Sequence, residues 1–318
     1  MSRALDDRVR EALKCGNHDE VYDRISAALA QRCDKLLEIE FLGQSYGLIT
    51  HNSFMQEDNA IGLPKLRLIQ AFIVARRKLN AHLSGEQTMS DQEVLEATAV
   101  ILVMDAEHLT AANTRKRVLA KATAELLLQE KYFIDSILTS PLHRHTKSPN
   151  LWSHRRWLVD RFKALGLPTD VADDMRRVVF VSGERHPRNY YAWCHARYLV
   201  TTVGMDRDAM ATTLEDCKKW CFRHHDDVSG WMFLMFLLDR TPTYAGDIIM
   251  QTLKLAESLQ WCNESVWYFV RNLAMSKSKG GKLPEDFSRV LESLRKCADE
   301  EERRTLDKTA AWIETRSS

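Results

Sequence analysis

Apolar residues recur every three or four positions in a series of segments along the chain, which is the pattern of helices with one buried face. Each of these segments is followed by a short loop and then by a second apolar segment. The repeating unit is therefore predicted to be a pair of helices. The predicted first helices of the pairs cover residues 91–107, 122–138, 170–185, 206–223 and 245–261.

A tryptophan stands at the same place in the second helix of four pairs. Trp152, Trp193, Trp231 and Trp267 are spaced by 41, 38 and 36 residues, and Ala112 takes the tryptophan slot 40 residues before Trp152. A large side chain that recurs in this way is expected to fill the core between neighbouring pairs. Because one pair cannot bury its own apolar face, the pairs are predicted to stack into an all-α fold, a right-handed α-α superhelix or solenoid.

The loops carry helix-capping signals that agree with these boundaries. Ser148 is followed by Pro149, a capping residue and then proline at the first helical position. Asn189 and Ser229 stand where N-caps are expected before the next two tryptophan helices. Gly166 is placed to end the helix that carries Trp152.

Three regions are predicted along the chain. They are an N-terminal helical and irregular region (1–85), the helical repeats (86–275) and a C-terminal helical cap (276–318). In the first region, an irregular stretch with several glycines is expected to precede a helix near 64–80. The tract 276–282, SKSKGGK, is predicted to be a flexible connection.

Composition narrows the function classes. The 318 residues include only 12 Gly and 7 Pro with 45% hydrophobic residues, which favours helices over an all-β fold. The net charge of +1 gives no global field toward nucleic acid or anionic lipid. Seven scattered cysteines without a CxxC pair, no apolar run that could span a membrane and no secretory leader predict a cytoplasmic protein with reduced thiols.

The segments around two of the tryptophans resemble a known repeat. Residues 148–159 read SPNLWSHRRWLV and residues 185–200 read RHPRNYYAWCHARYLV, with tryptophan followed by arginines and leucine at fixed spacing. This pattern resembles the repeat of protein prenyltransferase α-subunits, and most of all the divergent α-subunit repeat-containing proteins, the α-like partner of a third type of protein prenyltransferase. The resemblance covers roughly residues 36–275 and is most specific at 147–199.

The resemblance implies a solenoid that wraps a catalytic β-subunit, which holds the zinc and the isoprenoid diphosphate. This chain would then carry no cofactor and would be inactive alone. The resemblance further implies transfer of a geranylgeranyl group to a protein acceptor with adjacent C-terminal cysteines.

One lysine is the candidate catalytic residue. In the family, a lysine five residues before the repeat tryptophan points at the diphosphate, and Lys147 holds that position here. A positive donor near the leaving group would stabilise its developing charge. The alternative interpretation is a solvated turn lysine. His143, Arg144 and His145 add local positive charge, although they are expected simply to be exposed.

Further residues are candidates for the substrate site or the subunit interface. Asn189 and Tyr190 match an Asn-Tyr pair that lies at the subunit boundary in the family, whereas Tyr191 and Pro149 depart from the classical farnesyl-type subunits, so detailed contacts are not transferred. The signature arginines either pair with acids of an adjacent helix or face the β-subunit. They are Arg155, Arg156 and Arg197.

Other chemistry finds little support in the sequence. Cys217 and Cys221 with His224 and His225 could in principle bind zinc, but their spacing lies on a continuous predicted helix, and core cysteines beside Trp220 are the preferred interpretation. No phosphate loop or nucleophile motif is visible. Two hypotheses remain: a partner-dependent prenyltransferase subunit, or a stand-alone helical-repeat adaptor that binds proteins without prenylation activity.

Overall fold

A computed structural model describes residues 11, 13–14, 17–43, 52–275 and 284–317. The predicted flexible tract 276–282 lies outside the described residues. The described residues form two compact units. The first contains the residues up to Thr169 together with Val181–His186, and the second contains Asp170–Phe180 and the residues from Pro187 onward.

The first unit begins with a helix and a small sheet. Its first elements are α1 (His18–Ala30), β1 (Glu38–Leu42), β2 (Met55–Glu57), β3 (Ala60–Pro64) and α2 (Lys65–Ser84). The central strand β3 pairs with β1 in parallel and with β2 in antiparallel fashion. The sequence predicted an irregular stretch here, and the strands are a difference from that prediction. The predicted helix near 64–80 is present as α2 and continues to residue 84.

Side chains of a neighbouring helix hold strand β1 in place. The Leu37 N–H donates to Ser136 Oγ at 3.0 Å and the Ile39 N–H donates to Ser140 Oγ at 2.9 Å. Ile39 and its register partner Ile61 are both buried. The outer edge of β1 is therefore satisfied by helix serines rather than by another strand, which lets so short a strand persist.

Helix pairs follow the sheet, as the sequence predicted. In the first unit they are α3 (Asp91–Met104) with α4 (Leu109–Leu119), and α5 (Ala124–Thr139) with α6 (Pro149–Ala164). Helix α7 (Val171–Asp174), a π-helical stretch (Met175–Val179) and α8 (Phe180–Arg185) come next. The second unit continues with α9 (Tyr190–Thr202), α10 (Arg207–Arg223), α11 (Val228–Leu238), a 3₁₀ turn (Pro242–Tyr244), α12 (Ala245–Leu259), α13 (Glu264–Ala274), α14 (Asp286–Cys297) and α15 (Glu300–Ser317). The all-α helical-repeat fold is confirmed.

Most of the predicted caps are present. The Ser148 Oγ accepts the Leu151 N–H at 3.1 Å with Pro149 at the first helical position, and Asn189 caps α9. The prediction for Ser229 is wrong, because Asp227 caps α11 and accepts the N–H groups of Ser229 and Gly230. Asp227 stands two and three residues before these amides, at the N-cap position from which a side-chain oxygen reaches the first N–H groups of a helix.

The repeat tryptophans are buried, with at most 4% of their surface exposed. Three of them share one hydrogen bond, in which the indole Nε1–H donates to the carbonyl six residues earlier: Trp152 to Thr146, Trp231 to His225 and Trp267 to Trp261, at 2.8–2.9 Å. This bond ties the loop of each pair to its second helix. The tryptophans are thus core residues that also fix the loops.

Gly230 is required by the packing of α11. A Cβ atom built on it would lie 2.4 Å from Cζ3 of the buried Trp220 ring. We expect Gly230→Ala to lower the free energy of unfolding by about 1–3 kcal/mol, because overpacking outweighs the better helix propensity of alanine. Urea denaturation followed by circular dichroism would measure this loss. Ser229→Ala, one residue earlier, is the matched control and should stay within about 0.5 kcal/mol; an equally stable Gly230→Ala protein would contradict the packing.

Within the described ranges, no helix is long and apolar enough to cross a membrane.

Candidate functional site

Lys147 lies on the turn between α5 and α6, and the backbone on both sides of it is fixed. The Thr146 carbonyl accepts the Trp152 indole N–H at 2.8 Å, and the Ser148 Oγ donates to the Ala106 carbonyl at 3.2 Å. The lysine side chain is half-buried. In the part of the chain that the structure describes, it forms no ion pair with a carboxylate. Lys147 is therefore a positive charge on a rigid turn whose charge is not neutralised within the fold.

His145 does not contribute to this exposed charge. It is only 4% exposed, and its Nε2–H donates to the carbonyls of Leu102 and Val103 at 3.1 and 2.9 Å, at the end of α3. Burial lowers its pKa, so the ring is neutral. The expectation that His145 is exposed is wrong, because the ring is used to satisfy helix carbonyls that have no partner within α3.

A histidine from the end of α8 joins the turn instead. The His186 ring lies 4.2 Å from the His143 ring, centroid to centroid, and its Nδ1–H donates to the His143 carbonyl at 3.0 Å. Burial, followed by the charge of Lys147, lowers the pKa of His186. His143, Lys147 and His186 form a group that we call the basic cluster, with Arg144 exposed beside it.

Arg155 is buried rather than directed at a partner. It is 0% exposed, and its Nε donates to Asp135 Oδ1 of α5 at 2.7 Å. Lys131, one helical turn before Asp135, places its Nζ 2.6 Å from the second carboxylate oxygen. Of the two interpretations that the sequence left open, the acid of an adjacent helix is the one observed for Arg155, and an interface role for this residue is excluded by its burial.

A second buried ion pair occupies the same slot of the preceding repeat. Arg115 follows Ala112 by three residues, as Arg155 follows Trp152. Its guanidinium contacts both carboxylate oxygens of Glu130, with Nε–Oε1 at 2.9 Å. His154 Nε2 lies 2.8 Å from the same Oε1 atom. The signature arginines Arg115 and Arg155 are therefore structural residues, and their ion pairs join α5 to α4 and to α6.

Glu130 makes stability depend on acid pH. Burial raises the pKa of this carboxyl, but Arg115 and His154 lower it by more, so that the pKa falls from 4.5 to about 2. As the pH falls below 4.5 the unfolded chain takes up this proton first, so the stabilisation present above pH 4.5 is lost progressively down to about pH 2.

We expect the free energy of unfolding, measured by urea denaturation across this range, to depend less on pH in Glu130→Gln. Glu125→Gln, exposed on the same helix, should keep the full slope; equal slopes in all three proteins would contradict the assignment.

The remaining signature arginines lie nearer to the surface. Arg156, the residue after the buried Arg155 on α6, is exposed. Arg197 on α9 is half-buried, donates to the Met232 carbonyl at 2.9 Å and packs 5.5 Å from the Phe236 ring centroid. Arg156 keeps its predicted interface role as a prediction, whereas the guanidinium of Arg197 is largely used within the second unit.

An exposed pair of aromatic residues opens α9. Asn189 is fully buried and caps the helix by accepting the Ala192 N–H at 3.3 Å. Tyr190 and Tyr191 are 66% and 38% exposed, with their rings 5.6 Å apart in an edge-to-face arrangement. Arg188 adopts a φ of +57°, and its N–H donates to Asp227 at 2.6 Å. Asn189 is thus a cap, and the two tyrosines present the surface that a partner could contact.

The alternative zinc constellation is not assembled. Cys217 and Cys221 are fully buried in α10. His224 stacks on Trp220 and His225 stacks on Trp261, with His225 Nδ1 3.1 Å from Asn263. Among the described residues, no group of three or more His, Cys, Asp or Glu side chains is arranged to hold a metal ion.

Known proteins share this repeat. The model of the ECM9 middle domain matches residues 151–259. Protein prenyltransferase alpha subunit repeat-containing protein 1 of Homo sapiens is 27% identical over 179 residues, 51% of this chain and 43% of the human protein. The Danio rerio protein of the same name is 26% identical over 180 residues, and Protein ECM9 of Saccharomyces cerevisiae is 25% identical over 202 residues.

The predicted resemblance to the prenyltransferase α-subunit repeat-containing proteins is confirmed. The chain spans only 41–52% of the length of these relatives. The ECM9 middle-domain match includes Trp152, Trp193, Tyr190 and Tyr191, whereas Lys147 precedes its first residue. Sequence reasoning missed His186, although a histidine stands seven residues before the tryptophan in three repeats, as His145, His186 and His224.

Proposed function

We propose that this chain is an α-like, partner-dependent subunit of a heterodimeric protein prenyltransferase. It scaffolds a catalytic β-subunit and places Lys147 at the shared site, and it is inactive alone. The observation that carries the proposal is the rigid turn on which Lys147 stands, half-buried, with two histidines beside it and, within the described ranges, no carboxylate paired to its ammonium. A charge held in this way is suited to an anion supplied from outside the fold.

The chemistry of prenyl transfer uses such a charge. A cysteine thiolate of the acceptor attacks the isoprenoid carbon, and the bond to the diphosphate breaks, so negative charge develops on the leaving group. A lysine ammonium that is already positioned stabilises this charge without reorganisation. Zinc, which would activate the thiolate, is assigned to the β-subunit because the resemblance to prenyltransferase α-subunits implies it.

The proposed partner contacts are Tyr190 and Tyr191 in the second unit and, as a separate contact, Arg156 in the first unit. All three are exposed, and tyrosine and arginine are enriched where proteins meet. The finer assignments follow from the resemblance: a geranylgeranyl donor, an acceptor with adjacent C-terminal cysteines and a cytoplasmic location.

The weakened signature of the later repeats does not favour the adaptor hypothesis. Ala196, Leu234 and Val270 replace the arginine three residues after the tryptophan, and all three are 0% exposed. Arg155 in this slot forms an internal ion pair with Asp135. The apolar residues that stand in the same slot of the later repeats are therefore core residues. They remove a buried ion pair and do not alter an exposed position.

Co-expression with candidate prenyltransferase β-subunits tests the proposal. Affinity capture of this chain followed by size exclusion is expected to yield a complex of one copy of each subunit. Tyr190→Ala/Tyr191→Ala should weaken capture by at least tenfold, whereas Tyr244→Ala, an exposed tyrosine on the 3₁₀ turn, should not. A stable monomer that captures no β-subunit would contradict the proposal and favour the stand-alone adaptor.

A further inference from the structure

His186 is held in one orientation beside the Lys147 turn. Its Nδ1 atom lies 3.0 Å from the His143 carbonyl oxygen and 3.5 Å from the Thr146 hydroxyl. A carbonyl can only accept, so Nδ1 carries the hydrogen of the neutral ring and Nε2 carries the lone pair. The ring is fixed further by its packing against the His143 ring, at 4.2 Å and 45°. Nε2 is therefore the atom of His186 that can gain a proton.

The charges that act on His186 are positive. They come from Lys147 and His143 on the facing turn, while the neighbouring Arg185 is paired with Glu38 of β1. Burial and these positive charges lower the pKa of His186, so that its ring is neutral near pH 7. Within the described residues, no carboxylate contributes to this balance. An anion that entered the basic cluster would offset the charge of Lys147 and would favour the imidazolium form of His186.

We propose that His143, Lys147 and His186 together form one anion-binding site for a diphosphate group, and that His186 takes up a proton when the anion binds. The proton comes from the solvent and adds to Nε2, so one positive charge is gained for each anion bound. That the diphosphate belongs to an isoprenoid rests on the proposed function. The site itself rests on the placement of the three side chains.

In this arrangement the positive charge of the site increases when a negatively charged ligand binds. Without ligand, the neutral His186 adds no second cation beside Lys147. With ligand, the protonated His186 supplies a second charged donor from an element other than the turn. Charge-assisted hydrogen bonds from two elements are stronger and more selective than a single lysine contact. His186 is thereby a binding residue, whereas the sequence alone places it only in the loop after a predicted helix.

Nuclear magnetic resonance of histidine ring carbons in the full chain tests the inference directly. The pKa of His186 is measured by titration with and without saturating inorganic pyrophosphate. We expect pyrophosphate to raise the pKa of His186 by about 1, because the anion offsets the positive charges beside the ring. The His108 ring, which caps α4 through its own Nδ1, is the internal control, and its carbon chemical shifts should not respond to pyrophosphate. An unchanged pKa of His186 at saturating pyrophosphate would overturn the proposal.

Variants separate the roles of the two charges. His186→Asn retains a donor near the Nδ1 position and removes the titrating nitrogen, and it should weaken pyrophosphate binding about tenfold at pH 6. His108→Asn, the matched control, should bind as the unchanged chain does. Lys147→Ala should raise the pKa of His186 in the absence of anion and abolish its response to pyrophosphate. Equal pyrophosphate affinity in the His186→Asn and unchanged chains would also overturn the proposal.

Two further comparisons identify the ligand and separate this inference from the proposed function. Inorganic phosphate should produce a weaker response than pyrophosphate if the site is built for a diphosphate; an equal response would overturn the diphosphate assignment. Prenyl transfer by a β-subunit complex that is lost in Lys147→Ala but unaffected in His186→Asn would overturn the inference and leave the proposed function standing. Failure to capture any β-subunit, with the pyrophosphate response intact, would overturn the proposed function and leave the inference standing.

Discussion

Replacement of Asp135 with alanine is expected to lower the free energy of unfolding by about 3–5 kcal/mol, because it removes the carboxylate that pairs with the fully buried guanidinium of Arg155. Lys131 also loses its contact, but its side chain is 24% exposed and can turn toward water. The loss would be measured by urea denaturation of the purified chain. Two-state analysis requires that fluorescence and circular dichroism report the same transition.

Two control variants test whether the loss of stability in Asp135→Ala comes from the buried ion pair. Asp19→Ala removes the partner of Arg77 in an exposed ion pair, at 2.6 Å, and should cost less than about 1 kcal/mol. The double variant Asp135→Leu/Arg155→Met should recover most of the loss, because an apolar pair of similar volume can replace a buried ion pair. Alanine at Asp135 with near-normal stability would show that the arginine of the signature does not lock the repeats.

Replacement of Lys147 with alanine is expected to lower prenyl transfer by a β-subunit complex about a hundredfold, while the complex still assembles. The physical reason is that the ammonium acts on charge that develops in the transition state, so it contributes to turnover more than to assembly. The measurement is the single-turnover rate with labelled geranylgeranyl diphosphate. The hydrogen bonds that shape the turn come from Trp152, Ser148 and His145, and they do not involve the lysine side chain.

The matched controls for Lys147 are another lysine and a charge-preserving change. Lys121→Ala, at an exposed turn before α5, should transfer at the normal rate. Lys147→Arg should retain part of the activity, since it keeps the charge but not the compact ammonium. Unchanged turnover in Lys147→Ala would remove this residue from the mechanism, and the basic cluster would then have to serve another anion.

Much of the helical fold could be predicted because each helix pair repeats the same local information. The apolar spacing, the tryptophans and the caps Ser148 and Asn189 all reinforce one another within a few residues. The prediction for Ser229 was wrong because two polar residues, Asp227 and Ser229, lie two positions apart at the start of α11, and only the structure shows which of them is the cap.

The sheet could not be predicted from local pattern. Strand β3 contains Gly62 and Pro64, which argue against a strand, and β1 is five residues long. What stabilises β1 is a pair of serines about a hundred residues later in the chain, which accept its N–H groups. Such long-range partners leave no periodic signal in the sequence.

The candidate site was predictable only in part. Lys147 followed from a resemblance, and its spacing from Trp152 was visible in the sequence. His186 was not predicted, because it reaches the turn from a helix end about 40 residues later, through a bond to the backbone of His143. The sequence left two interpretations open for Arg155, an acid of an adjacent helix or the β-subunit interface. Its partner Asp135 is identified only by the packing of α5 against α6.

The measurement that tests the central claim most directly is prenyl transfer by the purified complex of this chain and a candidate β-subunit. Labelled geranylgeranyl diphosphate and a protein with adjacent C-terminal cysteines are supplied, and label on the acceptor is quantified for the complex and for each subunit alone. We predict transfer by the complex and none by this chain alone. A stable complex without transfer to any such acceptor, or transfer by the β-subunit at the same rate without this chain, would contradict the account.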